Sequence, residues 1–274
     1  MSRAMFLAGL VALGCADEQA GGAGFEGAGG GAPADAGGAD AGGEAGTRGL
    51  DEGALAGVWA HRQITVALAD VPVVGVLQSP TIATQRVVFE ARDGQLFMRG
   101  LTCGLEVGSP ESPVKTVVPE AFIRAVGEVV RPVVVGADGA FEAPRMLDVR
   151  GVELTDPEGE ALPTEPDDPR VRDDDRDGKP GLTIRATGLT DGEIYVVQRG
   201  WTRLIGRVEG DRVDGRIEWA SDQVVLDADN PILAQGVPTA QDPDPALHVF
   251  RSTRVDAARD CAWINANAAE LFAR

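Results

Sequence analysis

The stretch from Asp173 to Ile184, DDDRDGKPGLTI, is the one place in this 274-residue chain where residue types and spacing together specify a chemistry. Asp173, Asp175 and Asp177 alternate, and Gly178 follows. Carboxylates at positions one, three and five can turn toward one point. A glycine at six permits the sharp bend, and the backbone carbonyl of Lys179 at seven adds a neutral oxygen. Such an all-oxygen set suits calcium, a hard cation with flexible coordination. Electrostatics point the same way. Residues 156–177 hold 10 acids against the 3 arginines Arg170, Arg172 and Arg176, a local charge of −7, and carboxylates so crowded stay ionised together only beside a cation. Pro157, Pro163, Pro166 and Pro169 exclude regular structure from the same stretch. Residues 156–184 are therefore expected to form an acidic insertion ordered by a weakly held calcium ion, with a dissociation constant of about 10⁻⁴ to 10⁻³ M.

Position twelve is Ile184 where an EF-hand carries a bidentate glutamate, and Leu182 to Arg185 alternates like a strand. The run thus resembles the DxDxDG calcium loops of thrombospondin type 3 repeats and other extracellular β-rich proteins more than a helix-loop-helix. Remaining oxygens would come from water or from a distant acid such as Asp168, Asp191 or Glu193.

The elements that must carry this loop read as β-strands. Val58 to Leu68 and Ile82 to Ala91 hold β-branched residues in partial alternation, and Asp93-Gly94 joins the latter to Leu96 to Cys103 as a hairpin. Gly192 to Arg199, Arg203 to Glu209, Arg212 to Ala220, Asp222 to Ala228 and Leu247 to Val255 continue the pattern. Val213, Gly215, Ile217 and Trp219 alternate with charged neighbours, the mark of a half-buried strand. Only Pro119 to Glu128 and Ala262 to Ala273 read as helical. The expected fold is all-β, an antiparallel meander closed as a barrel or packed as a sandwich, with a short C-terminal helix.

Gly57-Val58-Trp59 at the start of the first strand resembles the GxW signature of lipocalins. The resemblance implies an eight-stranded barrel whose Trp59 closes one end beneath an arginine of the last strand, Arg251 or Arg254. Cys103 and Cys261 are an even pair in an exported chain, for which a disulfide is the expectation.

Export is read from the N-terminus. Arg3 precedes an apolar run from Ala4 to Leu13, too short to span a bilayer, and Gly14-Cys15 follows. This resembles a bacterial lipoprotein signal, with Ala12 at the third position before the cysteine. It implies that residues 1–14 are removed, that Cys15 is acylated, and that the protein is anchored to a membrane. Ala16 at the second mature position, with Asp17 only third, favours the outer membrane. Residues 15–50 are almost entirely Gly, Ala, Asp and Glu, too poor in apolar surface to fold. They are expected to be a tether, leaving 51–274 as a single β-rich domain.

A net charge of −18 excludes nucleic-acid partners. Nucleophile chemistry also finds no support. Ser112 to Lys115 fits SxxK and Ser221-Asp222-Gln223 approaches SDN, but no lysine follows Lys179 to complete the set. The two histidines, His61 and His248, lie far apart in strands. Tyr195, Trp59, Trp201 and Trp219 are expected in the core. The expectation is a non-catalytic outer-membrane lipoprotein with a calcium-stabilised β domain, serving binding, adhesion or envelope structure and facing an envelope protein. A lipocalin-like carrier of a small apolar ligand is the alternative, and a hydrolase with carboxylates that spacing does not single out is the third. A hollow interior would favour the carrier.

Overall fold

Asp93 and Gly94 both take positive φ, 51° and 74°, the backbone of a two-residue hairpin turn. They join β2 (Gly75–Arg92) to β3 (Gln95–Val107) where the sequence predicts a hairpin. The computed structural model describes residues 55–71, 75–109 and 111–273. Cys15, the signal segment 1–14 and the tether 15–50 lie outside the described residues. The other strands are β1 (Gly57–Val71), β4 (Val114–Val117), β5 (Glu128–Val135), β6 (Ala140–Arg150), β7 (Leu182–Gly188), β8 (Gly192–Glu209), β9 (Arg212–Ala228), β10 (Thr239–Gln241) and β11 (Val249–Arg254). Three short helices accompany them, α1 (Glu120–Val126), α2 (Cys261–Ala266) and α3 (Ala268–Leu271). The fold is mainly antiparallel β with a short helical C-terminus, as expected.

All eleven strands share one sheet, and its path returns on itself. β1 pairs with β2, β2 with β3, β3 with β5, β5 with β6, β6 with β8, β8 with β9, β9 with β11, and β11 with β1. These eight antiparallel strands form a ring. The long strands β3 and β8 serve two sets of partners. β3 bonds β5 through Leu96–Leu101 and β4 at Val107, while β8 bonds β6 from Gln198 to Arg207 and β7 from Gly192 to Val196. Twist carries the two ends of a long strand in different directions. The wall therefore parts between the two sets, and α1, which connects β4 to β5, packs against β3 and β7 there.

Alternation sends every second side chain inward. At one end of the ring the inward residues are aromatic and pack on one another, the first two contacts edge to face and the third tilted. Trp59 meets Phe89 with ring centroids 5.7 Å apart, Phe89 meets Phe141 at 6.1 Å, and Phe141 meets Phe250 at 5.7 Å. Trp59 is fully buried, and its indole N–H donates to the Leu55 carbonyl at 2.9 Å. Across from it Arg254 of β11 lies with its guanidinium carbon 4.4 Å from the indole centroid. Gly206 and Gly215 face each other between β8 and β9, and a side chain at Gly215 would come within 2.6 Å of the Phe250 ring. Only glycines let that ring lie on the strands.

Several elements differ from the sequence expectation. β8 and β9 each run unbroken where two short strands are predicted, because Gly200 and Ser221, taken from sequence as breaks, pair with each other within the ladder. β4, β5, β6 and β10 carry no alternation that marks them. The C-terminal helix is two short helices meeting at Asn267. They dock outside the ring, with Ile264 and Phe272 packed on Ala60 and the Cys103–Cys261 disulfide tying α2 to β3.

Candidate functional site

Above the aromatic end the ring is hollow. A cavity of about 230 Å³ lies between β1, β2, β3, β5, β6, β8 and β9. At about 30 Å³ per water in the liquid it has room for seven or eight waters. Its wall is mixed, polar through Gln63, Thr65, Thr81, Gln85, Gln198 and Ser221 and apolar through Met98, Val126, Val129, Met146 and Trp219. The Gln198 amide donates to Ser221 Oγ at 3.2 Å. α1 closes the part in the wall, Val126 contributing its side chain to the cavity.

Three charged residues line the cavity: Arg131, Asp148 and Arg150. Asp148 and Arg150 both project inward from β6 and bond each other, Nε to Oδ2, at 2.7 Å. The Asp148 side chain stays 48% exposed, yet partial desolvation by the surrounding wall still raises its pKa despite that partner. Arg150 also reaches the last carbonyls of α1, donating to Val126 at 3.2 Å. Arg131 sits on β5 opposite Met98 of β3 and is only 5% exposed. β6 carries a register irregularity between Ala143 and Met146, where Pro144, which has no N–H, is tolerated. Arg131 Nη2 donates to the Pro144 carbonyl at 2.6 Å and to the Thr202 carbonyl at 2.8 Å, and Nη1 donates to Thr202 Oγ1 at 3.1 Å. Arg131 makes no ion pair among the described residues. Burial lowers its pKa to about 10, which leaves it charged at neutral pH.

Next to this layer His61 is fully buried. Its Nε2 lies 3.0 Å from the Gln63 amide nitrogen, a donor, so Nε2 accepts and Nδ1 carries the proton toward Ser252 Oγ at 2.7 Å. Burial, and then the charge of Arg131, lower its pKa to about 3. It is a neutral packed histidine. His248 likewise is used structurally, accepting the Val66 N–H at Nδ1 and donating from Nε2 to the Asp242 carbonyl.

The acidic insertion is irregular but built. Val152, Val171, Leu154 and Leu162 pack beside Val197 and Leu226 on the outside of β8 and β9. Arg170 forks onto Asp168 and Glu160, and Arg199 donates to the Glu160 carbonyl at 2.8 Å. Asp173, Asp175 and Asp177 come together, each offering an oxygen within 4.8 Å of the others. Asp173 accepts the N–H groups of Asp177 and Gly178, at 3.1 and 2.9 Å, which wraps the loop around its carboxylate. Gly178 has φ 84°, as the sharp turn requires. Lys179 turns its backbone N–H to Asp177 Oδ1 at 2.9 Å, and its ammonium rests over Tyr195, 5.1 Å from the ring centre. Asp175 Oδ2 accepts the Thr183 N–H at 2.9 Å, while Oδ1 is buried with no partner. Burial first, then the charges of Asp177 and Asp173, raise the Asp175 pKa. The three carboxylates make no ion pair among the described residues, because Arg170 and Arg172 are taken by Asp168, Glu160 and Glu153.

The more distant acids expected to complete the set are engaged elsewhere. Asp168 holds Arg170, Glu193 holds Arg185 at 3.0 Å, and Asp191 accepts the Gly188 N–H at 3.0 Å. The serines of the abandoned catalytic motifs are likewise placed. Ser112 donates to the Val114 carbonyl in a turn, and Ser221 lies on the cavity wall with Asp222 paired outside to Arg199. Sequence reasoning missed Arg131, Gln63 and Gln198. A single arginine within the valine-rich run Glu128–Val135 is the one signal that could have found the first. No family model, curated protein or solved structure matches this chain.

Proposed function

We propose that this protein is a non-catalytic carrier that encloses one small ligand within its β ring. The observation that carries this reading is the cavity of about 230 Å³ within the ring, partly open to solvent, with a mixed polar and apolar wall. A folded interior is normally close-packed, and void space lined by convergent polar groups is the usual form of a ligand site. Two further features support a lipocalin-like carrier: the closed ring of eight antiparallel strands and the stacking of Arg254 on Trp59. The polar groups of the wall favour an amphipathic ligand over the wholly apolar one that the lipocalin resemblance suggests, since the Gln63 and Gln198 amides each have one protein bond, to His61 and to Ser221, and hydrocarbon would leave the rest of their donors and acceptors unsatisfied. Nothing in the cavity assembles a nucleophile with a base.

Around this core we place two supports. A calcium ion held by Asp173, Asp175 and Asp177, with the Lys179 carbonyl beside them, would supply the counter-charge those carboxylates lack and order the acidic insertion. Acylated Cys15 and the tether 15–50 would hold the ring at the outer membrane, on the order of 30 Å from the lipid.

The carrier reading is tested with N-phenyl-1-naphthylamine, a neutral dye whose emission rises in an apolar site. Saturable enhancement is expected for the wild type and its loss for Ala83→Phe, which fills the cavity from β2, with circular dichroism to show that the variant folds. Equal enhancement by both proteins would place the dye outside the ring and defeat the reading.

A further inference from the structure

The cavity wall has the opposite sign of charge from the rest of the molecule. Whole-chain net charge is −18, yet the charged residues of the wall are Arg131 and Arg150 against Asp148, 2 cations less 1 anion, or +1. Asp148 and Arg150 satisfy each other at 2.7 Å. The surplus is Arg131.

Its five N–H groups are only partly used. Nη2 gives both of its hydrogens to main-chain carbonyls, those of Pro144 and Thr202 with Ala143 at the longer distance of 3.4 Å, and Nη1 gives one to Thr202 Oγ1. The second Nη1 hydrogen and the Nε hydrogen have no protein acceptor, and Nε is shut off from solvent. Carbonyls orient a guanidinium, but they bring no negative charge. A buried cation normally has an anionic partner, because its desolvation is otherwise uncompensated. Here no residue supplies one. The one acid in the wall, Asp148, is taken by Arg150, and no other acid lines the cavity.

Building on the carrier reading, we propose that the ring takes a small organic monoanion, a carboxylate with an apolar body, and that Arg131 is its counter-ion. The carboxylate would lie toward the Arg131 charge, with the Gln63 and Gln198 amides as further donors in the same wall. The body would lie against Met98, Met146 and Trp219. Arginine suits this task because its planar fork keeps its charge when buried and offers donors to carboxylate oxygens.

The test compares isosteres of the same shape, one an anion that only accepts hydrogen bonds and the other a neutral amide. Benzoate against benzamide, and hexanoate against hexanamide, are titrated at pH 7 into the wild-type protein, read by displacement of N-phenyl-1-naphthylamine and by isothermal calorimetry. Each carboxylate is expected to bind about tenfold or more tighter than its amide, the worth of one charge-assisted hydrogen bond. Arg131→Gln should bring the ratio near one, and Arg131→Lys should keep part of it. If acid and amide bind equally while the dye still binds, the inference falls and the carrier reading stands. If dye, acid and amide all fail to bind, both fall. A ratio that survives in folded Arg131→Gln removes Arg131 from the role. Should that variant not fold, the wild-type ratio alone decides for or against the anion.

Discussion

Acid should loosen this ring through His61. The imidazole is fully buried, held between Ser252 Oγ at 2.7 Å and the Gln63 amide at 3.0 Å, with the Phe250 ring centroid 5.6 Å away. Protonating Nε2 would set an N–H against the amide nitrogen of Gln63 and a second cation beside Arg131. Burial and that charge lower the native pKa from 6.5 to about 3. The sign follows. Between those values the unfolded chain binds a proton that the native chain refuses, so stability rises with pH across the window. The contribution is intact above the unfolded value and is lost as pH falls toward the native one. At pH 4.5 the unfolded histidine is two units below its pKa, and at about 1.36 kcal/mol per unit the loss is roughly 2.7 kcal/mol. For a domain of this size that is a fall in Tm of about 5 to 11 °C. Melting curves at pH 7.0 and 4.5 for wild type and His61→Gln isolate the effect, since every other titrating group is common to both. His61→Gln costs stability at pH 7 but should lose less on acidification, by the margin given. If wild type and variant lose the same amount, the imidazole is not held neutral by its surroundings and the account of this layer is wrong.

The Cys103–Cys261 bridge closes a separation of 158 residues, most of the ring, and in the chain-entropy model it stabilises by up to about 5 kcal/mol. Replacing both cysteines by serine should lower Tm and raise the denaturant m-value as the unfolded state expands; an unchanged Tm would mean that the docked C-terminal helices are peripheral. Calcium at ten times its dissociation constant should add about 1.4 kcal/mol by mass action, a rise in Tm of about 3 to 6 °C. Asp175→Asn should abolish the rise, and calorimetry showing no heat with millimolar calcium would remove the ion from the insertion. Incorporation of a fatty-acid analogue should be lost in Cys15→Ser, and labelling that persists would rule out acylation at that residue.

Local features of this protein were legible because local physics sets them. Asp93-Gly94 demands a hairpin whatever surrounds it, since both residues accept positive φ. The alternation of Asp173, Asp175 and Asp177 before Gly178 likewise brings three carboxylates together through backbone geometry within five residues. The pairing of Cys103 with Cys261 was legible because the chain has so few cysteines: with Cys15 expected to be acylated, only these two were left to pair. Strands with one polar and one apolar face, such as β9, were also readable.

The cavity was not, and the reason is physical. Periodicity reads a strand by contrast between its faces, and the cavity erases that contrast by placing Gln63, Thr65, Arg131, Asp148 and Gln198 on the inner face, where apolar residues are expected. In β5 the outward residues Val130 and Val134 are exposed while Arg131 is buried, the reverse of the usual pattern. β6 is interrupted at Pro144, whose ring excludes a ladder N–H and reads as a break. The sequence by itself determined the turns, the aspartate cluster of the loop, the disulfide and the all-β class, each set by residues close in the chain or few in kind. Only closure of the ring brings β1, β5, β6 and β8 around one space, and only there does Arg131 become a buried cation without an acid, because that condition depends on which strands meet and not on any residue's neighbours in sequence.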